Sequence, residues 1–560
     1  MFVLASLLVF VSVSSLAAAA FASVLGSLTL PAAASGLVLG ASVALYSWRR
    51  CRSLSKPSLS RPGVFDAVAL ATFAVVCLRH FLWLYFERDG VIRTLDPRNY
   101  GDLPLHITYV AHFVKGGRFW PENPIFTGEM LHYPFGIDLF TAMLVKLGLP
   151  IGVALPAMGL AGAAALGLAL FAWGRGFAVA AFLFSGGLAG FQVLWTGEWK
   201  DYQAALAWKN LFLTLFVPQR GFLFAFPAGL VLLWSWRRRI LRKETGLPSL
   251  VEGVLWGTMP LFHIHSFLFL SVVFAIWVTA ERAVKAALPT FLWAVVPATW
   301  CVAHLTSPGR AASFVWLKPG WLIGRQNVLV FLAVNFGIFL VLAAWATAVA
   351  AVRKSREHLL LIVPALGLFV VFFFVMLAPA EWDNTKVMAW CYLLALPAMS
   401  ELVLDRLRMP LRAAAWALLF FSGFVCVASS LGGSGYEVAR VEEREEVCRA
   451  VASLPADARV ATVQTFNHPV ALCGQPLVAG YGGHLWSHGI VSGPVEERLR
   501  ALMMGDPDWR ARAQGLGARY LFWGSREQDE FGGSRRPWES AARMVTRGRF
   551  GTVYDLAADR

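Results

Sequence analysis

The stretch RLRMPLRAAAWALLFFSGFVCVASSL (406–431) decides the reading of the fold. Arg406, Arg408 and Arg412 stand at its head, and no charged residue follows Arg412 up to Leu431. An apolar helix of about 20 residues covers the hydrocarbon layer of a bilayer. Clustered Arg and Lys mark the cytoplasmic end of such a span. Residues 411–431 therefore read as a span that enters from the cytoplasm, and the tail 432–560 is expected on the outer side. The tail holds 16 Arg against 16 Asp plus Glu, so it is neutral and contributes nothing to the basicity of the chain.

The same pattern runs backwards through the sequence. Of 560 residues, 58% are hydrophobic and 15% charged, where a soluble domain carries roughly 25% charge. Further apolar runs lie at 3–28, 30–47, 64–86, 152–173, 177–195, 221–236, 287–304, 327–350, 358–378 and 386–404. The first has no basic head and runs directly into the second, so it reads as a retained helix rather than a cleaved signal. The net charge of +15 sits in short loops: Arg49, Arg50, Arg52, Lys56 and Arg61; Arg237, Arg238, Arg239, Arg242 and Lys243; Arg353, Lys354 and Arg356; and the arginines of 406–412. That distribution is topological and gives no reason to expect a nucleic-acid partner.

Residues 250–279 join two basic-leaning loops, 237–243 and 281–285, which a single crossing cannot do. Two short helices, 250–262 and 266–279, with an outward turn at PLFHIHS (260–266) satisfy both loops. The expectation is a polytopic α-helical membrane protein of about 13 spans in the inner (plasma) membrane, with its N-terminus cytoplasmic. A transmembrane domain covers 1–431, and a small extracytoplasmic α/β domain covers 432–560.

This topology places 87–135, 196–220, 305–326 and 379–385 outside. The loop 87–135 is too long for a connection and too aromatic for a disordered one. PLHITYVAHFVKG (104–116) and FGIDLFTAMLVKLGL (135–149) both have apolar residues at helical spacing and read as helices lying along the membrane surface. The tail alternates strand-like runs (459–463, 476–480, 519–524, 551–556) with helical stretches (441–453, 494–504). None of the seven cysteines has metal-ligand spacing. Five accompany apolar spans, and Cys448 and Cys473 in the tail can pair if the fold brings them together in an oxidising compartment.

Acids beside a membrane are costly and mark places where chemistry can occur. Asp102 in NYGDLPLH (99–106) has two compatible readings: a helix N-cap ahead of Pro104, or a general base with His106 one turn further along the same face. Tyr133 and Asp138 lie in HYPFGIDLF (132–140), on the far side of the loop. FVPQRGF (216–222) sets Gln219 and Arg220 at the outer mouth of a span, and the planar fork of Arg suits phosphate; a snorkelling Arg is the structural alternative. His263 and His265 occupy the outward turn, as ligands or as ordinary structural histidines. EWDNTK (381–386) groups Asp383 and Lys386 at another outer end. In the tail, FNHPVALCGQ (466–475) and GYGGHLWSHG (480–489) set His468, His484, Trp486 and His488 among glycines, in a loop able to close over a cleft.

The odd-numbered set of spans, the long first outer loop with an acid near its start, its two surface helices and the outer α/β tail together resemble the GT-C superfamily of membrane glycosyltransferases. That superfamily includes protein O-mannosyltransferases, the aminoarabinose transferase of lipid A and the catalytic subunit of oligosaccharyltransferase. The resemblance is carried by GDLPLH (101–106) and HYPFGIDLF. It implies that Asp102 is the catalytic base; beside it, the reading of the residues themselves puts His106 with Asp102 and gives Tyr133, Asp138, Gln219, Arg220, His263, His265, Asp383 and Lys386 as expected substrate-binding residues. Two helices, 3–28 and 30–47, precede the span that usually opens the fold. The implied partners are a polyprenyl-phosphate sugar donor, a glycan, lipid or protein acceptor, and membrane lipids. The sequence requires no cofactor and leaves a divalent metal open. A lipid or polysaccharide transporter, or an O-antigen-ligase-like enzyme, is the competing reading; the absence of paired halves with polar breaks at mid-membrane counts against transport.

Overall fold

The computed structural model describes residues 1–52, 61–306 and 314–559. Lys56 and part of the expected outer stretch 305–326 therefore fall outside the described residues. The chain divides into two compact units. The first comprises Met1–Ser14, Leu39–Leu82 and Ala157–Ser434, and the second Ser15–Val38, Trp83–Pro156 and Gly435–Arg560.

Among the described residues, seven helices are long and apolar enough to cross a membrane: Phe2–Leu25, Leu30–Arg52, Val64–Leu82, Ile151–Leu183, Val284–Leu305, Glu381–Arg406 and Met409–Ser430. Val328–Phe336 and Phe339–Val352, bent by 91° at their junction, make an eighth if taken as one span. The expected 13 are not reached by this measure, for local reasons. Phe222–Trp236 has 15 residues, Arg356–Val371 has 16 and Ile264–Ala280 has 17. The runs 152–173 and 177–195 are parted where expected: Ile151–Leu183 is two helices meeting at a kink with non-helical backbone at Gly174 and Arg175, where Arg175 pairs with Asp66 at 2.5 Å and the Gly176 N–H donates to the same carboxylate at 2.8 Å. The second of these helices ends at Leu183, short of 195. Residues 250–279 break within the expected turn, at His263, whose extended backbone separates Met259–Phe262 from Ile264–Ala280, and also at Thr258, inside the helix expected over 250–262.

Glycines set the closest helix approaches in the first unit. A Cβ on Gly423 would lie 2.1 Å from the Phe184 carbonyl oxygen, and one on Gly187 would lie 1.9 Å from that of Val334. The basic loops converge at one level. Arg237 pairs with Glu357 at 2.6 Å and Glu401 at 3.0 Å, Arg242 reaches Glu357 at 2.8 Å, and Lys243 and Arg356 both reach Glu281, at 3.1 and 2.5 Å.

The second unit is α/β. Arg459–Ala461, Ala518–Gly524, Gly551–Asp559 and Ala542–Arg547 form, in that spatial order, a sheet whose first pair is parallel and whose other pairs are antiparallel. The expected strand at 476–480 contributes only isolated bridges, and the charged run ARMVTR (542–547) is a strand instead. Helices Val441–Ala452 and Gly493–Met503 match the sequence reading closely. A hairpin, Phe86–Arg88 with Val91–Thr94, pairs with Tyr436–Arg440 and ties the start of the outer loop to the start of the tail. Cys448 and Cys473 form a disulfide that closes a sequence separation of 25. Cys448→Ser is expected to lower the unfolding free energy of this unit by about 3 kcal/mol through the freed loop entropy. Urea unfolding followed by tryptophan fluorescence, with wild type and variant in the same detergent, measures it.

Candidate functional site

The helix Asn99–Lys115 begins one turn earlier than Pro104 suggests. The backbone N–H of Arg98 donates to the Asp96 carboxylate at 2.8 Å, and that of Asn99 to the Asp96 carbonyl at 3.0 Å, which starts the first turn. The guanidinium of Arg98 holds the same buried carboxylate at 3.1 Å. Asp102 is thus not the N-cap. It lies at the end of the first turn, with Pro104 inside the helix; the N-cap position falls to Arg98, which makes no side-chain cap, and Asp96, which sequence reasoning passed over, holds the turn before it.

One turn beyond Asp102, the His106 imidazole is buried and its Nδ1 meets Asp138 Oδ2 at 2.9 Å. Asp138 is itself 2% exposed, on the first turn of the helix Gly136–Lys146. A carboxylate so far from water needs a charged or hydrogen-bonded partner. The pair therefore locks the two amphipathic helices in register and fixes the imidazole. The Tyr133 ring lies 4.7 Å from that of His488, 5.6 Å from that of Tyr109 and 6.4 Å from that of His106. Tyr109 is fully buried, and its hydroxyl has no hydrogen-bond partner among the described residues. Burial, with the Tyr133 hydroxyl and the Asp138 carboxylate nearby, pushes that phenol well above its usual range. Its place at i+3 from His106 was the only sequence signal for it.

The glycine-rich tail loop joins this group. His484 bonds to the Gly101 backbone, and burial, reinforced by the neighbouring His106, lowers its pKa to about 4. Tyr481 packs edge-on against His484 at 5.3 Å, and Phe466 lies 4.5 Å from Tyr100. Sequence reasoning noted this loop but gave His484 and His488 no role at Asp102. The other tail histidine, His468, is remote from that role. It is fully buried against Glu527 at 2.8 Å. Burial alone would raise the Glu527 carboxyl, but the His468 charge and hydrogen bond and the Val463 and Gly524 N–H groups hold it below the usual range.

The remaining predicted residues belong to the first unit, where they gather at the N-terminal ends of three helices. A Cβ on Gly221, which follows Gln219 and Arg220, would lie 2.3 Å from the Phe262 carbonyl oxygen, and the Phe222 ring lies tilted 4.0 Å from that of His263. His263 Nδ1 accepts from the Ser266 N–H at 3.1 Å, so it acts as a helix cap. His265 lies 5.6 Å from His263, and its Nε2 is 3.3 Å from the Leu377 carbonyl. Asp383 and Lys386 pair with each other at 3.0 Å. Arg220 is buried. The helices Phe222–Trp236, Ile264–Ala280 and Thr385–Leu402 carry this group at one end and Arg237, Glu281 and Glu401 at the other, a separation of roughly 22 Å along the 15 residues of the shortest. Among the described residues, no group of three or more His, Cys, Asp or Glu side chains is placed to hold a metal ion.

No protein-family model matches the chain, and no curated protein matches it by sequence. Among solved structures, the chain is similar to the oligosaccharyltransferase of Archaeoglobus fulgidus. The form tethered to an acceptor peptide containing the NVT sequon matches at TM-score 0.42 and 12% identity, over 87% of this chain and 74% of that one. The apo form matches at 0.42 and 12%, over 82% and 69%. The complex of that protein, AglB, with an inhibitory peptide and a dolichol-phosphate matches at 0.41 and 12%, over 83% and 70%. At that identity no residue correspondence follows.

The lowered pKa of His484 has a signed consequence. Between about pH 4 and its unfolded value near 6.5, the unfolded chain binds a proton that the folded one refuses, so stability rises with pH across that window. Acidification from pH 6.5 to 4 is expected to remove on the order of 3 kcal/mol through this group. His484→Gln should flatten that part of the pH–Tm curve, and an unchanged slope would contradict the assignment.

Proposed function

We propose that the chain is a membrane glycosyltransferase that moves a sugar from a polyprenyl-phosphate donor to an acceptor hydroxyl at the extracytoplasmic face, with 1–431 as its membrane domain and 432–560 as its outer domain. The observation that carries this reading is the His106–Asp138 pair one turn from Asp102, on amphipathic helices in a chain whose described residues also hold seven membrane-length helices. The disulfide favours an oxidising compartment for the tail, and the convergence of the basic loops favours a shared cytoplasmic level for them.

In this reading Asp102 takes the acceptor's hydroxyl proton as its oxygen attacks the anomeric carbon. The bond from that carbon to the phosphate oxygen breaks, and its electron pair leaves with the phosphate. His106 is held in one orientation by Asp138, as a carboxylate orients an imidazole in other acid–base sites, and positions the acceptor against Asp102. The exposed Tyr481 and Trp486 flank the loop that carries His484. For the donor's phosphate we assign Arg220, on the bidentate geometry of its guanidinium; Gln219, His263, His265, Asp383 and Lys386 are assigned to substrate binding with it. The acceptor hydroxyl belongs to a glycan, a lipid or a protein.

Asp102→Asn keeps size and polarity but cannot take the proton. It should leave Tm unchanged and cut transfer from a panel of polyprenyl-phosphate hexoses and pentoses by roughly two to four orders of magnitude. A folded variant with wild-type turnover would reject Asp102 as the base. Arg220→Lys keeps the charge and loses the fork, and donor binding should weaken by about 1–3 kcal/mol. Equal donor affinity in wild type and Arg220→Ala would reject that assignment.

A further inference from the structure

The second unit contains a cavity of about 370 Å³ that the proposed chemistry does not use. One wall is the face Val110, Ala111, Val114 and Lys115 of the helix Asn99–Lys115, continued by Val145 and by Ile151, the first residue of a membrane-length helix. The opposite wall is Arg444 with the Cys448–Cys473 disulfide. His106 and Asp138 do not line it.

Its two cations are set in unusual surroundings. The Lys115 ammonium donates to the Val451 carbonyl at 2.6 Å and to the Gln475 side-chain oxygen, both neutral acceptors. Burial lowers its pKa to about 8, with no acid compensating, so it is still mostly charged at neutral pH. The Arg444 Nε is buried and has no hydrogen-bond partner among the described residues. Neither side chain takes part in an ion pair among the described residues. Two half-buried cations without an anion are costly, and a donor left unsatisfied in a buried place costs about 1–3 kcal/mol. The rest of the lining is aliphatic. A free inorganic anion would satisfy the cations and leave that wall wetted. A ligand with a phosphate and a hydrocarbon chain satisfies both, and the Ile151 side sets the cavity at the level where a spanning helix begins.

We infer that this cavity binds the phosphate of an anionic glycerophospholipid, with its acyl chain along Val114, Val145 and Ile151 and its phosphate between Lys115 and Arg444. The bound lipid pins the surface helix Asn99–Lys115 to the tail helix Val441–Ala452, a role separate from that of the sugar donor. The inference does not depend on the proposed transferase activity.

The test uses the full chain in detergent, titrated with dioctanoyl phosphatidylglycerol and read by native mass spectrometry and by Tm. Wild type is expected to bind and gain Tm. Arg444→Gln should bind at least tenfold more weakly. Val114→Trp, which keeps both charges and fills the cavity, should lose binding while its Tm without lipid stays near wild type. Asp102→Asn should bind as wild type does, so failure of the catalytic reading leaves this result intact. Equal affinity in wild type and both cavity variants would overturn the site. Inorganic phosphate that displaces the lipid at equal concentration would overturn the lipid as ligand. Farnesyl phosphate binding more tightly than phosphatidylglycerol would assign the cavity to the donor instead and overturn the separate role.

Discussion

The 2.9 Å contact between His106 and Asp138 organises what surrounds it. A carboxylate with 2% of its surface exposed needs partners such as the imidazole that meets it, and that demand fixes where Gly136–Lys146 can lie against Asn99–Lys115. With those helices fixed, Tyr133 has to project from the preceding loop toward His488, and the tail loop closes on Gly101 through His484. The arrangement holds an ionisable acid, Asp102, at the rim of a set of oriented aromatic and imidazole rings. Such preorganisation is what acid–base catalysis requires.

The first unit obeys a second constraint, the separation of charge along its helices. Arg237, Arg242, Lys243 and Arg356 are neutralised by Glu281, Glu357 and Glu401 at one level, while histidines and the Asp383–Lys386 pair occupy the other. Short helices such as Phe222–Trp236 span that distance because they are packed among other helices rather than exposed to lipid; every residue of that helix is buried.

Much of this was legible in the sequence. The apolar runs, the two amphipathic helices after residue 99, the break at His263 and most tail elements follow from periodicity and turn residues, which are local. The partners of those elements were not legible. Asp138 was read as a substrate contact because nothing in a sequence places it against His106, 32 residues away. The N-cap reading of Asp102 failed because Pro104 was taken as a first-turn residue, while the turn at Asp96 starts the helix earlier. The strand Ala542–Arg547 was missed because its charges sit on a sheet edge, where solvent faces them and a hydrophobic pattern is not required. The expected count of spans is not reached by length alone because several apolar helices, Phe222–Trp236 among them, are shorter than a membrane-length helix.

The central claim is that His106 and Asp138 act as one unit in the service of Asp102. A double-mutant cycle on sugar-transfer turnover tests it most directly, using His106→Gln, Asp138→Asn and the double variant, each confirmed to be folded at the assay temperature. Residues that act as a unit lose their effect together. The account predicts a double variant about as slow as the slower single variant. Losses that multiply would show the two side chains to act independently and would contradict it.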